Sequence, residues 1–155
     1  MTPLKRKRPR PGDVGLVKVR ENAFARIHYI GKHPYLDDTV LVDPNLISEV
    51  GERIDTIERD PWLVFYQFCY FVRTGYISLI AEGLPEVPVP THTRSPQRTG
   101  PAPWAQWVIH DGADGRTIRD HLSPEERALP EHSVITHGLL LERLDQHWSL
   151  SDDVA

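Results

Sequence analysis

Apolar residues in this chain gather into short alternating runs near its start, one long run in its middle and a helical stripe near its end. The first run opens after Pro11-Gly12-Asp13, where Val14, Leu16, Lys18 and Arg20 alternate with Gly15, Val17 and Val19. That period of two predicts a strand with Val17 and Val19 on its inner face. Glu21-Asn22 makes a turn, and Phe24, Arg26, His28 and Ile30 then alternate against Ala23, Ala25, Ile27 and Tyr29 in a second strand. Residues 31–38 read as a polar loop around Pro34, and residues 39–42 as a short third strand that Asp43-Pro44 ends.

The middle run, residues 62–82 (WLVFYQFCYFVRTGYISLIAE), holds most of the aromatic mass. Its β-branched and aromatic content favours strand, and burial on both faces accounts for the loss of alternation. Residues 62–69 are expected as a central strand, 70–75 as a turn or short helical link, and 76–81 as a second strand stopped by Gly83 and Pro85. A membrane span needs about 20 apolar residues, and Gln67, Arg73, Thr74 and Ser78 interrupt this run. Between these regions, Leu46, Ile47, Val50, Ile54 and Ile57 fall near helical spacing, but Gly51 costs about 1 kcal/mol against alanine inside a helix. A weak helix or structured loop is expected over residues 45–60, its other face acidic through Glu49, Glu52, Asp55, Glu58 and Asp60.

Residues 84–103 carry six prolines and predict a long surface loop, since proline lacks a backbone donor and biases the chain to extended forms. Residues 104–110 read as a strand with Trp107 and Ile109 on one face. Asp111-Gly112 and Asp114-Gly115 turn the chain, and residues 116–119 return as a short strand. Ser123-Pro124-Glu125-Glu126 is a helix start with a capping box, closed early by Pro130. Thr136 caps a final helix over residues 137–148, with Leu140, Leu141, Leu144 and Trp148 as its buried stripe. The whole predicts an α+β fold, mainly β: a curved antiparallel sheet or small partly open barrel with a C-terminal helix. Residues 1–10 are expected as a disordered basic arm, 11–150 as a single domain and 151–155 as a frayed acidic tail.

Length and charge sharpen this picture. A chain of 155 residues is expected to bury roughly 68–70% of its unfolded surface without a disulfide or metal staple. The single Cys69 makes no internal bridge, and burial among aromatics predicts a protonated structural thiol. No apolar stretch follows the basic start as a secretory signal would, which points to the cytoplasm. Net charge is −4, yet Lys5, Arg6, Lys7, Arg8 and Arg10 supply five of the eighteen basic residues. Without them thirteen bases face twenty-two acids, a body of −9, which attracts basic partners and repels nucleic acid. The arm lacks aromatics that would stack bases.

Candidate chemistry is sparse. None of the eight histidines pairs at the i, i+4 spacing of a helical metal site, and no Cys-x-x-Cys accompanies them. His28 reads as a core histidine. His132 and His137 straddle a helix start. His110 and Asp111 are adjacent in a strand and so point to opposite faces. The run DGADG fails the calcium-loop template, whose sixth and twelfth positions are Arg116 and Leu122 here. There is no Gly-x-Ser-x-Gly elbow, Walker loop or dinucleotide fingerprint. No catalytic set, cofactor or metal is expected.

The order of the pieces carries a resemblance. PGDVGLVKV, AFARIHYIG, TVLVD, VFYQFCYFVRTGYISLIAEGLP, WAQWVIHDG, LSPEERALP and LLLERLDQHW follow one another in a layout similar to the immunity protein 26 family of bacterial polymorphic toxin systems, over about residues 11–148. Tyr76 stands after Gly75 where that layout has tryptophan. The resemblance implies a non-enzymatic protein that binds and neutralises a cognate toxin. An acidic body suits a basic toxin such as a nuclease. On charge, the partner surface is expected at Asp37, Asp38, Asp43, Glu49, Glu52, Asp55 and Glu58. The competing readings are a small-barrel nucleic-acid or ribonucleoprotein adaptor anchored by Lys5, Arg6, Lys7, Arg8 and Arg10, and a hydrolase with an acidic site that the sequence does not display.

Overall fold

The computed structural model describes residues 3–5, 8–81, 87–97, 106–112 and 114–148, and the described residues form two open sheets and three helices. The expectations on Arg6, Lys7, Gly83, Pro85, Trp104 and the tail 151–155 lie outside the described residues. The larger sheet has six strands in the order β5-β1-β2-β3-β4-β9. These are β1 (Val14–Arg20), β2 (Ala23–Lys32), β3 (Asp38–Ile47), β4 (Trp62–Tyr66), β5 (Ile77–Ala81) and β9 (Val134–Ile135). Neighbours run antiparallel except β4 and β9, which are parallel. Register shifts interrupt the β1–β2, β1–β5 and β2–β3 ladders, and such bulges bend and twist a sheet. The smaller sheet is an antiparallel meander of β6 (His92–Gln97), β7 (Gln106–Asp111) and β8 (Gly115–Arg119).

One face of the six-stranded sheet holds the main core. Val17, Ala25, Ile27, Val40, Val42, Trp62 and Val64 pack there with Phe68 and Val72 of α1 (Phe68–Arg73) and Leu140 and Leu144 of α3 (His137–Asp145). Small residues let the layers close. A Cβ on Gly15 would sit 2.8 Å from the Phe68 ring, so only glycine lets β1 pass under α1. Val17 is buried as expected, and Val19 packs partly against the same cluster.

Three expectations need correction. The central strand stops at Tyr66, because α1 starts at Phe68 rather than at residue 70. Gln67 gives that helix no side-chain cap, but the Asp38 carboxylate from β3 accepts the Cys69 N–H at 2.9 Å and takes up one of its orphan donors. The third strand runs through Pro44 to Ile47. Phe24 pairs with Ile47 and Arg26 with Asp43, so Pro44 falls inside a bulge where no ladder donor is needed. Of residues 45–60, read as a weak helix or structured loop, 45–47 belong to β3, while 48–60 take the structured-loop alternative. The proline-rich stretch contains β6, in which Pro96 shares the outer edge with Arg94, whose N–H leaves the ladder for the Pro130 carbonyl at 3.0 Å.

The caps match expectation. Ser123 and Glu126 form the capping box of α2 (Pro124–Arg127), and Thr136 accepts the Leu139 N–H at the start of α3. Helix α3 ends at Asp145, three residues short of Trp148. There His147 turns left-handed at φ 55°, its N–H reaches the Leu144 carbonyl and the Trp148 N–H reaches the Arg143 carbonyl. This is a Schellman closure with histidine in the glycine position. At the other end of the chain the arm is tied at Leu4, whose N–H donates to the Leu79 carbonyl and whose side chain packs on the core.

Candidate partner surface

The loop 48–60 joins β3 to β4 and is built by its own hydrogen bonds. Ser48 donates its N–H to the Glu52 carbonyl at 2.7 Å, and Gly51, at φ 86°, closes back on the Ser48 carbonyl at 2.9 Å. Ile54 N–H donates to the Leu46 carbonyl at 3.1 Å, while the Asp55 carboxylate accepts the Leu46 N–H at 2.8 Å. Asn45 and Arg59 exchange two bonds of 2.8 Å across the base of the loop. Outside contacts fix its position. The Glu49 N–H donates to Asn22 Oδ1 at 3.0 Å, and Arg59 Nη1 donates to the His147 carbonyl at 2.9 Å.

This framework turns three aliphatic side chains outward: Val50 is 75% exposed, Ile57 64% and Ile54 40%. Leu46 and Ile47, which belong to the same apparent helical stripe in the sequence, are buried in β3 instead. Glu49, Glu52 and Glu58 are exposed on the same loop. Beside Ile57 an open hollow lined by Asp55, Thr56, Arg59 and His147 offers a seat for one protruding side chain. The surface is therefore acidic and apolar together.

The seven acids expected at the partner surface divide into two groups. Asp37, Asp38, Asp43 and Asp55 have carboxylates engaged within the fold. Asp37 accepts the Asp38 N–H at 2.8 Å. Asp38 is 7% exposed, receives the Cys69 N–H and lies 3.4 Å from the Tyr29 hydroxyl. Asp43 holds Arg26 at 3.0 Å and the Asn45 amide at 2.9 Å. Glu49, Glu52 and Glu58 remain, all exposed on the loop 48–60. Helical spacing in the sequence groups Val50, Ile54 and Ile57 with Leu46 and Ile47; Gly51 in the middle of that run is the signal for a structured loop instead.

The other candidates have settled environments. Burial, followed by the Asp38 carboxylate, pushes the Cys69 thiol up to about 11, so it stays protonated. Burial pushes the Tyr66 hydroxyl well above its usual range and His137 below its own. The Tyr66 hydroxyl and His137 Nδ1 share a hydrogen bond of 2.6 Å. His110 and Asp111 face opposite ways as expected, His110 towards Ser95 and Asp111 towards His92 at 3.5 Å. Among the described residues, no three His, Cys, Asp or Glu side chains converge as metal ligands would, and no helix is long and apolar enough to cross a membrane.

No protein-family model matches the chain, and comparison with characterised proteins and with solved structures yields no match. The likeness to immunity proteins rests on the order of the sequence pieces.

Proposed function

We propose that this protein is an immunity-type inhibitor that binds a basic protein toxin through the loop 48–60 and neutralises it by direct contact. The observation that carries this reading is the pre-ordered loop itself, with Val50, Ile54 and Ile57 exposed among Glu49, Glu52 and Glu58. Exposed aliphatics on a loop held by its own hydrogen bonds lose little entropy on docking. They exclude water at the centre of a contact, while surrounding carboxylates raise the encounter rate with a cationic face. The order of the sequence pieces and the body charge of −9 support the same reading.

The test is co-expression and pull-down with the product of the adjacent gene. The chain should relieve that product's toxicity and co-purify with it. Charge reversal of Glu49, Glu52 and Glu58 to lysine should slow association by about tenfold or more at low salt. Failure to relieve toxicity sinks the proposal. Salt-sensitive binding of DNA or RNA that vanishes on deletion of residues 1–10 would select the adaptor reading instead.

A further inference from the structure

Segment 130–135 joins the two sheets by backbone bonds on both sides. Towards the small sheet, Arg94 N–H donates to the Pro130 carbonyl at 3.0 Å and His132 N–H donates to the Arg94 carbonyl at 2.8 Å. Towards the large sheet, Val134 and Ile135 pair in parallel with Phe65 and Tyr66. His132 sits between these attachments. Its ring stacks on His110 of β7 with centroids 3.9 Å apart and planes 14° from parallel. Each imidazole also has a hydroxyl partner: His132 Nδ1 lies 2.7 Å from Thr93 Oγ1, and His110 Nε2 lies 2.7 Å from Ser95 Oγ.

Among the described residues, several elements bring polar and titratable groups to this pair. Strand β6 contributes the uncharged Thr93 and Ser95, and β8 contributes Arg116, directly opposite His110 in the register. The β2–β3 loop contributes His33, which is 5% exposed and meets the Phe65 ring edge-on at 5.0 Å. Glu131 beside His132 turns its carboxylate to Arg143 at 3.3 Å, and Asp111 beside His110 lies on the opposite strand face near His92. Burial first, and then the cations, hold these imidazoles below their usual range: His132 and Arg116 act on His110, Arg116 acts on His132, and His132 acts on His33. The pair is neutral at pH 7, and a proton on either ring meets like charge.

We propose that segment 130–135 is an acid-released clasp, in which proton uptake by the His110–His132 stack breaks the link between β6 and the β4 edge and frees the three-stranded sheet from the six-stranded one. The device is independent of what the loop 48–60 binds. It makes the small sheet a separately opening unit whose docking depends on pH, while the larger sheet stays folded.

Residue-resolved hydrogen exchange from about pH 7.5 to pH 5, with the intrinsic chemical rate divided out, tests this. Protection of the Arg94 and His132 amides should fall by about tenfold or more across that range, while that of Val40 and Val42 in β3 changes by less than about twofold. A double variant His110→Asn, His132→Gln keeps hydrogen-bonding capacity without the titration, and its Arg94 and residue-132 amides should show no such pH dependence. Where that variant does not fold, Arg116→Gln on the exposed β8 gives a second reading, because loss of its charge relieves the repulsion met by a protonated stack in the closed state and should move the midpoint of opening to lower pH. Equal loss of protection in β3, a flat wild-type profile, an unchanged profile in the double variant, or an unmoved midpoint in Arg116→Gln would each overturn the clasp.

Discussion

Set side by side, the six-stranded and three-stranded sheets solve the same packing problem with different materials. The large sheet buries Val17, Ile27, Val40, Val42 and Trp62 against Phe68, Leu140 and Leu144, all at most 3% exposed. In the small sheet β8 is exposed along its whole length. Its inner anchors include Thr93 and Arg94, at 2% and 1% exposure, and the imidazole stack. Arg94 sends Nε–H to the Leu129 carbonyl at 2.9 Å and lies over the Trp107 ring at 5.5 Å. Apolar burial is non-directional and indifferent to pH. Polar anchors are directional, costly to leave unmade and open to titration. The two sheets should therefore fail under different insults.

The largest effect belongs to the apolar side. Phe68 is fully buried and stacks on Tyr29 at 5.3 Å, so Phe68→Ala should cost about 4 kcal/mol in urea unfolding. Tyr and Trp signals from both sheets should shift together, because the small sheet is held through segment 130–135 to the β4 edge that this core supports. A loss confined to the small sheet would break the comparison.

Arg94→Met comes next. It keeps the packed stem but strands the Leu129 carbonyl, and should cost about 2 kcal/mol. The loss should appear first in the Trp107 environment, with the six-stranded sheet still protected. Uniform destabilisation would mean that the small sheet has no independence.

The pH dependence sharpens the contrast without a substitution. His28, His33, His110, His132 and His137 all have folded values lowered, chiefly by burial. For a base whose folded value is depressed, the unfolded chain takes up protons first. Stability is then fully present above the unfolded value near 6.5 and falls as pH drops below it. The urea midpoint should therefore decrease from pH 7.5 to pH 5.5. In the His110→Asn, His132→Gln variant that slope should become shallower, since only His28, His33 and His137 continue to contribute. A midpoint that rises on acidification would contradict the burial of these rings.

What the sequence disclosed follows the same division. The β1–β2 hairpin, the inward Val17 and the caps at Ser123 and Thr136 were legible because their causes lie within a few residues. The start of α1 was not, because its capping acceptor, Asp38, lies 31 residues away in the chain. The passage of β3 through Pro44 depends on a bulge opposite Phe24 and Arg26, and β6 depends on contacts with Pro130 and His132. On the candidate surface, charge placed Glu49, Glu52 and Glu58 on the loop. Charge alone could not separate them from Asp38, whose burial is a tertiary fact. The stack of His110 on His132 joins residues 22 positions apart through a strap and a strand, and no spacing rule anticipates it.

The smallest expected effect has the opposite sign and tests how far the well-packed half can absorb strain. His147 holds a left-handed backbone at φ 55°, a conformation that costs a residue with a Cβ about 1–2 kcal/mol and glycine almost nothing. Its neighbours over-determine it. Trp148 is pinned edge-on to Trp62 at 5.1 Å and lies under Arg143 at 4.3 Å, while the His147 carbonyl receives Arg59. Its imidazole adds little in return, since the buried Nδ1 has no hydrogen-bond partner. His147→Gly keeps the carbonyl and the Trp148 anchor and removes both the strain and that nitrogen. Glycine also loosens the unfolded chain, so the net gain should be about 0.5–1 kcal/mol in the unfolding free energy from urea titration. A loss of stability would show that the imidazole supports the hollow beside Ile57, and the turn would then belong to the partner surface rather than to the core.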